Sequence, residues 1–261
     1  MDLGISGKTA LVLGAGGGLG SAIAETLARE GVKVALGDID QAALTRVGGR
    51  IEAAGGRALR LVWDLADLDL IETHVAAIEA ELGPVDILVN NTGGPPPTPA
   101  SGQDPALWTK NFQAMVLSVI ALTDRILPGM QAKGWGRVVT SASSGVISPI
   151  PNLGLSNALR SSLLGWSKTL AGEVGKHNIT STIVLPGRIA TGRIQFLDNA
   201  KAEREGRSVQ EVSAESVAAI PAGRYGDPRE YGQTVAFLAS QAAAYINGSV
   251  IRVDGGYISS I

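Results

Sequence analysis

The sequence contains no cysteine. Disulfides, thiolate nucleophiles and cysteine-bound zinc are excluded, and a reducing compartment suits the chain. Histidine is nearly absent. His74 and His177 both stand in polar stretches that read as solvated helix surface or helix end, and no metal site is expected. Excess charge is also missing: 22 basic and 24 acidic residues leave a net charge of −2, which offers nothing to nucleic acid. No apolar run reaches the ~18 residues of a membrane span. The opening MDLGISGKTALVLGAG lacks the basic start and apolar core of a signal peptide. These absences point to a cytoplasmic protein with small-molecule partners and no membrane.

What the chain does have is 45% hydrophobic residues in a regular alternation. Short β-branched runs stand at 9–13, 33–37, 58–63, 85–90, 137–141, 179–185 and 249–254. Helical patterns fill 19–30, 41–54, 68–82, 105–132, 154–176 and 228–240. Strands that are apolar along their whole length, separated by helices, predict a parallel sheet covered on both faces. Right-handed crossovers make this a doubly wound α/β fold of the Rossmann type, one domain over 1–261. Residues 188–222 break the rhythm with no strand pattern, and a connection of that length predicts a lid over a binding site.

The segment LVLGAGGGLGSAIAETLA places Gly14, Gly16, Gly17, Gly18, Leu19 and Gly20 between the first strand and the first helix. Glycine permits close backbone approach, and the free N–H groups of the helix start attract a pyrophosphate. Asp38, followed by Ile39, ends the second strand. A carboxylate there accepts from ribose hydroxyls and repels a 2′-phosphate, and no Lys or Arg at Gly16, Gly17 or Ile39 reverses this. NAD is therefore expected over NADP.

The order of motifs resembles the classical short-chain dehydrogenase/reductase family, especially its 3-oxoacyl-carrier-protein-reductase-like branch. Leu13 stands where that family usually has Thr. The resemblance implies adenine-side contacts from Asp64 and Leu65 in WDLAD, and cofactor contacts from Asn91 and Gly93 in NNTGG. It implies nicotinamide-side contacts from Pro186, Gly187, Ile189 and Thr191 in LPGRIATGRI. It also implies a homotetramer or dimer through the helices containing MVLSVIALTDRIL and LRSSLLGWSKTLA.

The departure lies at the chemistry. The family's tetrad is Asn, Ser, Tyr and Lys, and its first two members fall on Asn111 and Ser143, with Ser144 a close alternative to the latter. The Tyr and Lys positions fall on Ser156 and Arg160 in LGLSNALRSSLLGWSKTLA. Lys168 belongs to the flank and does not replace the missing lysine. A tyrosine near pKa ~10 can be tuned for proton transfer, whereas a serine hydroxyl is a much weaker acid. Arg160 can clamp a ribose but stays protonated. No histidine is placed to compensate, and Tyr225, Tyr231, Tyr245 and Tyr257 all read as lying outside the cleft.

Two readings follow. One is an oxidoreductase moving hydride between NAD(H) and a carbonyl or alcohol, with Asn111, Ser143 and Ser156 polarising the substrate. The other is an NAD(H)-binding sensor or scaffold without turnover. Arg188 and Arg193 fall near the expected nicotinamide and are candidates for holding an anionic substrate, while Arg204 and Arg207 read as solvent-facing. The proline-rich 93–105 segment reads equally as a site wall or a connector.

Overall fold

The computed structural model describes residues 2–261; Met1, part of the expected 1–261 domain, lies outside the described residues. Seven parallel strands run β1 Thr9–Leu13, β2 Lys33–Asp38, β3 Ala58–Val62, β4 Ile87–Asn90, β5 Gly136–Ser141, β6 Ile179–Pro186 and β7 Val250–Val253. Their order across the sheet is β3-β2-β1-β4-β5-β6-β7. The doubly wound fold expected from the alternation is present, with every strand within two residues of its expected bounds. The chain reverses its direction of winding between β1 and β4, and ligands of such sheets bind beyond the strand ends at that crevice.

The helices are α1 Gly18–Arg29, α2 Gln41–Ala53, α3 Leu70–Glu81, α4 Pro105–Phe112, α5 Ser118–Lys133, α6 Gly154–Val174, α7 Gly192–Glu205, α8 Val209–Ala218 and α9 Pro228–Leu238. One sheet face packs on α1, α2 and α9 through residues such as Ile23, Leu27, Leu44 and Val235. The other packs on α3, α5 and α6 through Val75, Ile78, Ile126, Met130 and Leu170. Buried β1, β4 and β5 account for the unbroken apolar runs, and the edge strands β3 and β7 are half exposed.

Two expectations need correction. The helix foreseen at 105–132 is divided by a π-helical turn over Gln113–Leu117, which begins two residues after Asn111. An extra residue in a turn is a local departure from 3.6 periodicity that an apolar pattern does not register. This 105–133 rod is long and apolar enough to cross a bilayer by length and composition, although no continuous apolar run marks it. Here Leu122, Ile126 and Met130 cover the sheet. His74 is not a freely solvated residue. It is half-buried against Trp63, with ring centroids 4.6 Å apart, and its buried Nε2 has no partner. Burial lowers its pKa, partly opposed by a hydrogen bond to the Val62 backbone.

Candidate active site

A cleft of about 610 Å³ opens at the carboxyl ends of the strands. This falls within the usual range for small-molecule sites. Its first wall is the glycine loop. Gly14 has φ of +59°, and a Cβ there would stand 2.5 Å from the Asn91 backbone oxygen. Only glycine fits both constraints. A Cβ on Gly18 would stand 2.6 Å from Thr191 Cγ2, so the loop also closes directly on the chain after β6. Asn91 Nδ2 donates to the Leu13 oxygen at 3.1 Å and fastens the β4 end to the β1 end.

Gly14, Gly17, Gly18, Leu19 and Gly20 line the cleft with Asp38, Ile39, Asp64 and Leu65. Gly16 does not. Its N–H donates to Asp38 Oδ2 at 2.9 Å, and a Cβ would meet Ala43 at 2.7 Å, so it sits behind the loop as a brace. Asp38 also accepts from the Asp40 N–H at 3.0 Å, and Asp40 caps α2 through the Ala43 N–H. The carboxylate is thus oriented at the tip of β2 by two backbone donors.

The opposite half of the cleft is built from the ends of β4, β5 and β6. Asn91, Gly93, Asn111, Ser143, Ser156 and Arg160 all line it, followed by Pro186, Gly187, Ile189 and Thr191. Asn111 Nδ2 donates to the Leu107 oxygen one turn back at 2.8 Å, which fixes its amide beside the π turn. Ser143 Oγ accepts from the Gly145 N–H at 3.1 Å. Its own O–H therefore stays available as a donor. Ser144 lines the cleft as well.

Ser156 and Arg160 lie one turn apart near the start of α6, and both are buried. Arg160 is 7% exposed and has no carboxylate partner among the described residues. Its Nη2 donates to the Thr92 and Gly93 oxygens, each at 3.0 Å, and its Nη1 to the Ser141 oxygen at 3.3 Å. Three of five donors hold the ends of β4 and β5, and Nε–H and one Nη1–H remain. Burial pushes its pKa down to about 10, and the charge of Arg193 adds to the shift. The guanidinium is still a cation at neutral pH.

Of the four tyrosines placed outside the cleft, Tyr257 lines it and corrects that expectation. It follows β7, whose end lies beside β6 at the crevice; the position of the closing strand was the available signal. Tyr231 is fully buried, its hydroxyl 2.8 Å from Ser141 Oγ. Burial raises its pKa, against the opposing effects of Ser141 and Arg160. Tyr225 donates to Asp198 at 2.7 Å, and Tyr245 is fully exposed.

The 188–222 segment forms α7 and α8, and Arg193, Ile194, Leu197, Lys201 and Arg204 face the cleft. Arg204 lines the cleft but stays exposed, as expected of a solvent-facing charge. Arg207 is held in ion pairs with Glu205 and Glu215. The Thr98 oxygen in the proline-rich segment accepts from the Gly154 N–H at 2.9 Å, and Pro97 lines the cleft. That segment is a wall of the site.

The family model described as Enoyl-(Acyl carrier protein) reductase matches residues 14–258. The 3-oxoacyl-[acyl-carrier-protein] reductase FabG of Escherichia coli (strain K12) is 36% identical over 252 residues, covering 96% of this chain and 97% of that protein. The chain belongs to the short-chain dehydrogenase/reductase family. Nodulation protein G of Azospirillum brasilense is 34% identical over 255 residues, covering 97% of this chain and 98% of its own. The structure of L-sorbose reductase from Gluconobacter frateurii, complexed with NADPH and L-sorbose, superposes with a TM-score of 0.94 at 30% identity, over 100% of both chains. As a member of this family and its 3-oxoacyl-carrier-protein-reductase-like branch, the chain is an NAD(P)-dependent oxidoreductase.

Proposed function

We propose that the protein transfers hydride between NAD(H) and a carbonyl or alcohol substrate without a catalytic phenol. The observation that carries this reading is the placement of Ser143, Ser156 and Arg160 in one cleft with the glycine loop. The residues present fit a dinucleotide. Gly14 leaves a cradle that a Cβ would fill, and the α1 start and the Asp38 carboxylate face the same cleft. A bound nicotinamide supplies or accepts the hydride. Asp38 and Ile39, with no cation at Gly16 or Gly17, support a preference for NAD(H), although the sorbose reductase relative was solved with NADPH.

Ser143 donates its free O–H to the substrate oxygen, aided by Asn111. Arg160 takes the family's lysine position, clamps the ribose with its remaining donors and places positive charge beside the developing alkoxide. It does not supply the proton. Ser156 is shorter than the phenol it replaces, and a water held by its hydroxyl delivers the proton; the hydroxide left behind sits beside the Arg160 charge and is reprotonated from solvent. The α7–α8 pair acts as a lid over the substrate. Its root is fixed, because the Gly226 N–H donates to the Arg188 oxygen and Arg188 pairs with Asp198 at 2.7 Å. Half-exposed Phe112 and Leu117, just before α5, support a homo-oligomer.

The test is NADH consumption against small ketones and 3-oxoacyl thioesters. The native protein should turn over at least one class. The joint change of Ser156→Tyr and Arg160→Lys should raise ketone reduction, since neighbouring catalytic groups do not act additively. Consumption by the double variant alone would overturn the phenol-free relay.

A further inference from the structure

We infer that the cleft binds a substrate carrying an anionic oxyacid group, carboxylate or phosphate, and that Arg193 is its anchor. This deepens the reading of the cleft as a carbonyl-reducing site and rests on it for the word substrate.

The basis is a charge imbalance inside one cavity. Five cationic side chains line the cleft: Arg160, Arg188, Arg193, Lys201 and Arg204. Three have a carboxylate partner within the protein, although Glu205 and Glu215 are shared with Arg207. Arg188 pairs with Asp198 at 2.7 Å, Lys201 with Glu215 at 2.8 Å and Arg204 with Glu205 at 3.3 Å. Arg160 and Arg193 have no carboxylate partner among the described residues. The Arg188 expectation is thus corrected: its charge is already spent on Asp198, which is 2% exposed.

The two unpaired guanidinium groups converge. A Cβ built on Gly94 would lie 3.1 Å from Arg193 Nη2 and 3.8 Å from Arg160 Nη2, so the two cations flank one residue. The cleft's own carboxylates, Asp38 at the end of β2 and Asp64 just after β3, lie on the far side of β1 from β4. They cannot compensate this pair.

Arg193 is also held in place by neutral partners. Its Nη2 donates to the Pro95 oxygen at 2.9 Å, and its guanidinium lies 5.5 Å from the Phe196 ring centroid. The neighbouring wall includes Pro97, which has no N–H to offer a ligand. An anionic group entering here finds its charged donors on the arginines. Two like charges brought together out of bulk water disfavour each other, and an anion between them removes that cost. The lowered pKa of Arg193, caused by burial, agrees with a cation that has no counter-ion.

The cofactor pyrophosphate is a different anion with its own place at the α1 start. Arg193 points instead toward Gly94 and Pro95, at the Arg160 end.

The test is equilibrium binding by calorimetry, without turnover. NADH affinity is measured first, in the native protein and in Arg193→Gln and Arg193→Lys, with folding checked by circular dichroism. The proteins loaded with NAD+, which carries no hydride to give a ketone, are then titrated with 2-oxobutanoate, dihydroxyacetone phosphate, and their neutral counterparts 2-butanone and dihydroxyacetone. At least one anion should bind the native protein tenfold or more tightly than its neutral counterpart. Which one identifies the oxyacid. Arg193→Gln should lose that advantage, and Arg193→Lys should keep part of it. Equal binding of charged and neutral probes, no binding of either anion, or an unchanged preference in Arg193→Gln would overturn the site. So would a tenfold loss of NADH affinity in Arg193→Gln, which would assign the residue to the cofactor. Arg193-dependent anion binding with no NADH consumption by any carbonyl leaves the site standing and removes the hydride-transfer reading. Ketone turnover indifferent to Arg193 does the reverse.

Discussion

The two halves of the cleft differ in charge and in chemistry. The β1–β3 half presents a glycine loop, the start of α1 and the carboxylates Asp38 and Asp64, with no cationic side chain. The β4–β6 half presents hydroxyls on Ser143, Ser144 and Ser156 and all five cations. The first half is fixed by backbone geometry that tolerates no Cβ at Gly14. The second is fixed by side chains tied to backbone carbonyls, as Arg160 is to Thr92, Gly93 and Ser141. A backbone cradle holds its ligand whatever reaction follows. Side chains can change the reaction while the cradle stays.

The largest test of this contrast is Gly14→Val. It forces a β-branched residue to φ +59° and a Cβ 2.5 Å from the Asn91 oxygen. NADH binding should weaken at least a hundredfold and stability should fall by ~1–3 kcal/mol, both measurable by titration and denaturant unfolding. Near-native affinity would mean that the loop is no cradle.

Next is Arg160→Ala, which removes donors from three carbonyls and the proposed ribose clamp. NADH affinity should fall by about 1–3 kcal/mol, the worth of a charge-assisted hydrogen bond. An unchanged titration in a folded variant would place Arg160 in a purely structural role.

A smaller effect is expected from Asp38→Asn, which keeps one of the two backbone hydrogen bonds, from Gly16 or Asp40, and removes the charge. The ratio of NADPH to NADH affinity should rise by about tenfold, or ~1.4 kcal/mol. A native protein that already binds NADPH more tightly would contradict the electrostatic reading of this half.

The smallest effect concerns His74, against the β3 side of the sheet. Its pKa is lowered in the fold by burial, so the unfolded chain binds the proton more readily. Stability should therefore fall as pH drops below the ordinary histidine value of about 6.5, until the folded-state pKa is passed. His74→Gln should flatten that slope in denaturant unfolding; an identical slope would locate the proton uptake elsewhere.

The fold was legible because buried parallel strands must be apolar on both faces, as β1, β4 and β5 are. The cofactor half was legible for a related reason. Glycine and a strand-end carboxylate are local signals with one common use. Gly16 shows the limit, since a loop glycine can face the ligand or brace the loop from behind, and only its bond to Asp38 decides. The reacting half was harder to read. The pairing of Arg188 with Asp198 and the convergence of Arg160 with Arg193 join separate elements that no spacing records. The π turn after Asn111 and the cleft position of Tyr257 likewise depend on how elements pack.

The central claim is that the β4–β6 half moves a hydride without a phenol, with Ser156 only orienting the proton donor. The most direct measurement is single-turnover transfer of deuterium from labelled NADH to a carbonyl acceptor, compared between the native protein and Ser156→Ala by mass spectrometry. Label should appear in the alcohol product in both, with the variant slower by less than about tenfold, or ~1.4 kcal/mol in the barrier. Complete loss of transfer in a folded, NADH-binding Ser156→Ala would make Ser156 the direct proton donor and contradict the account.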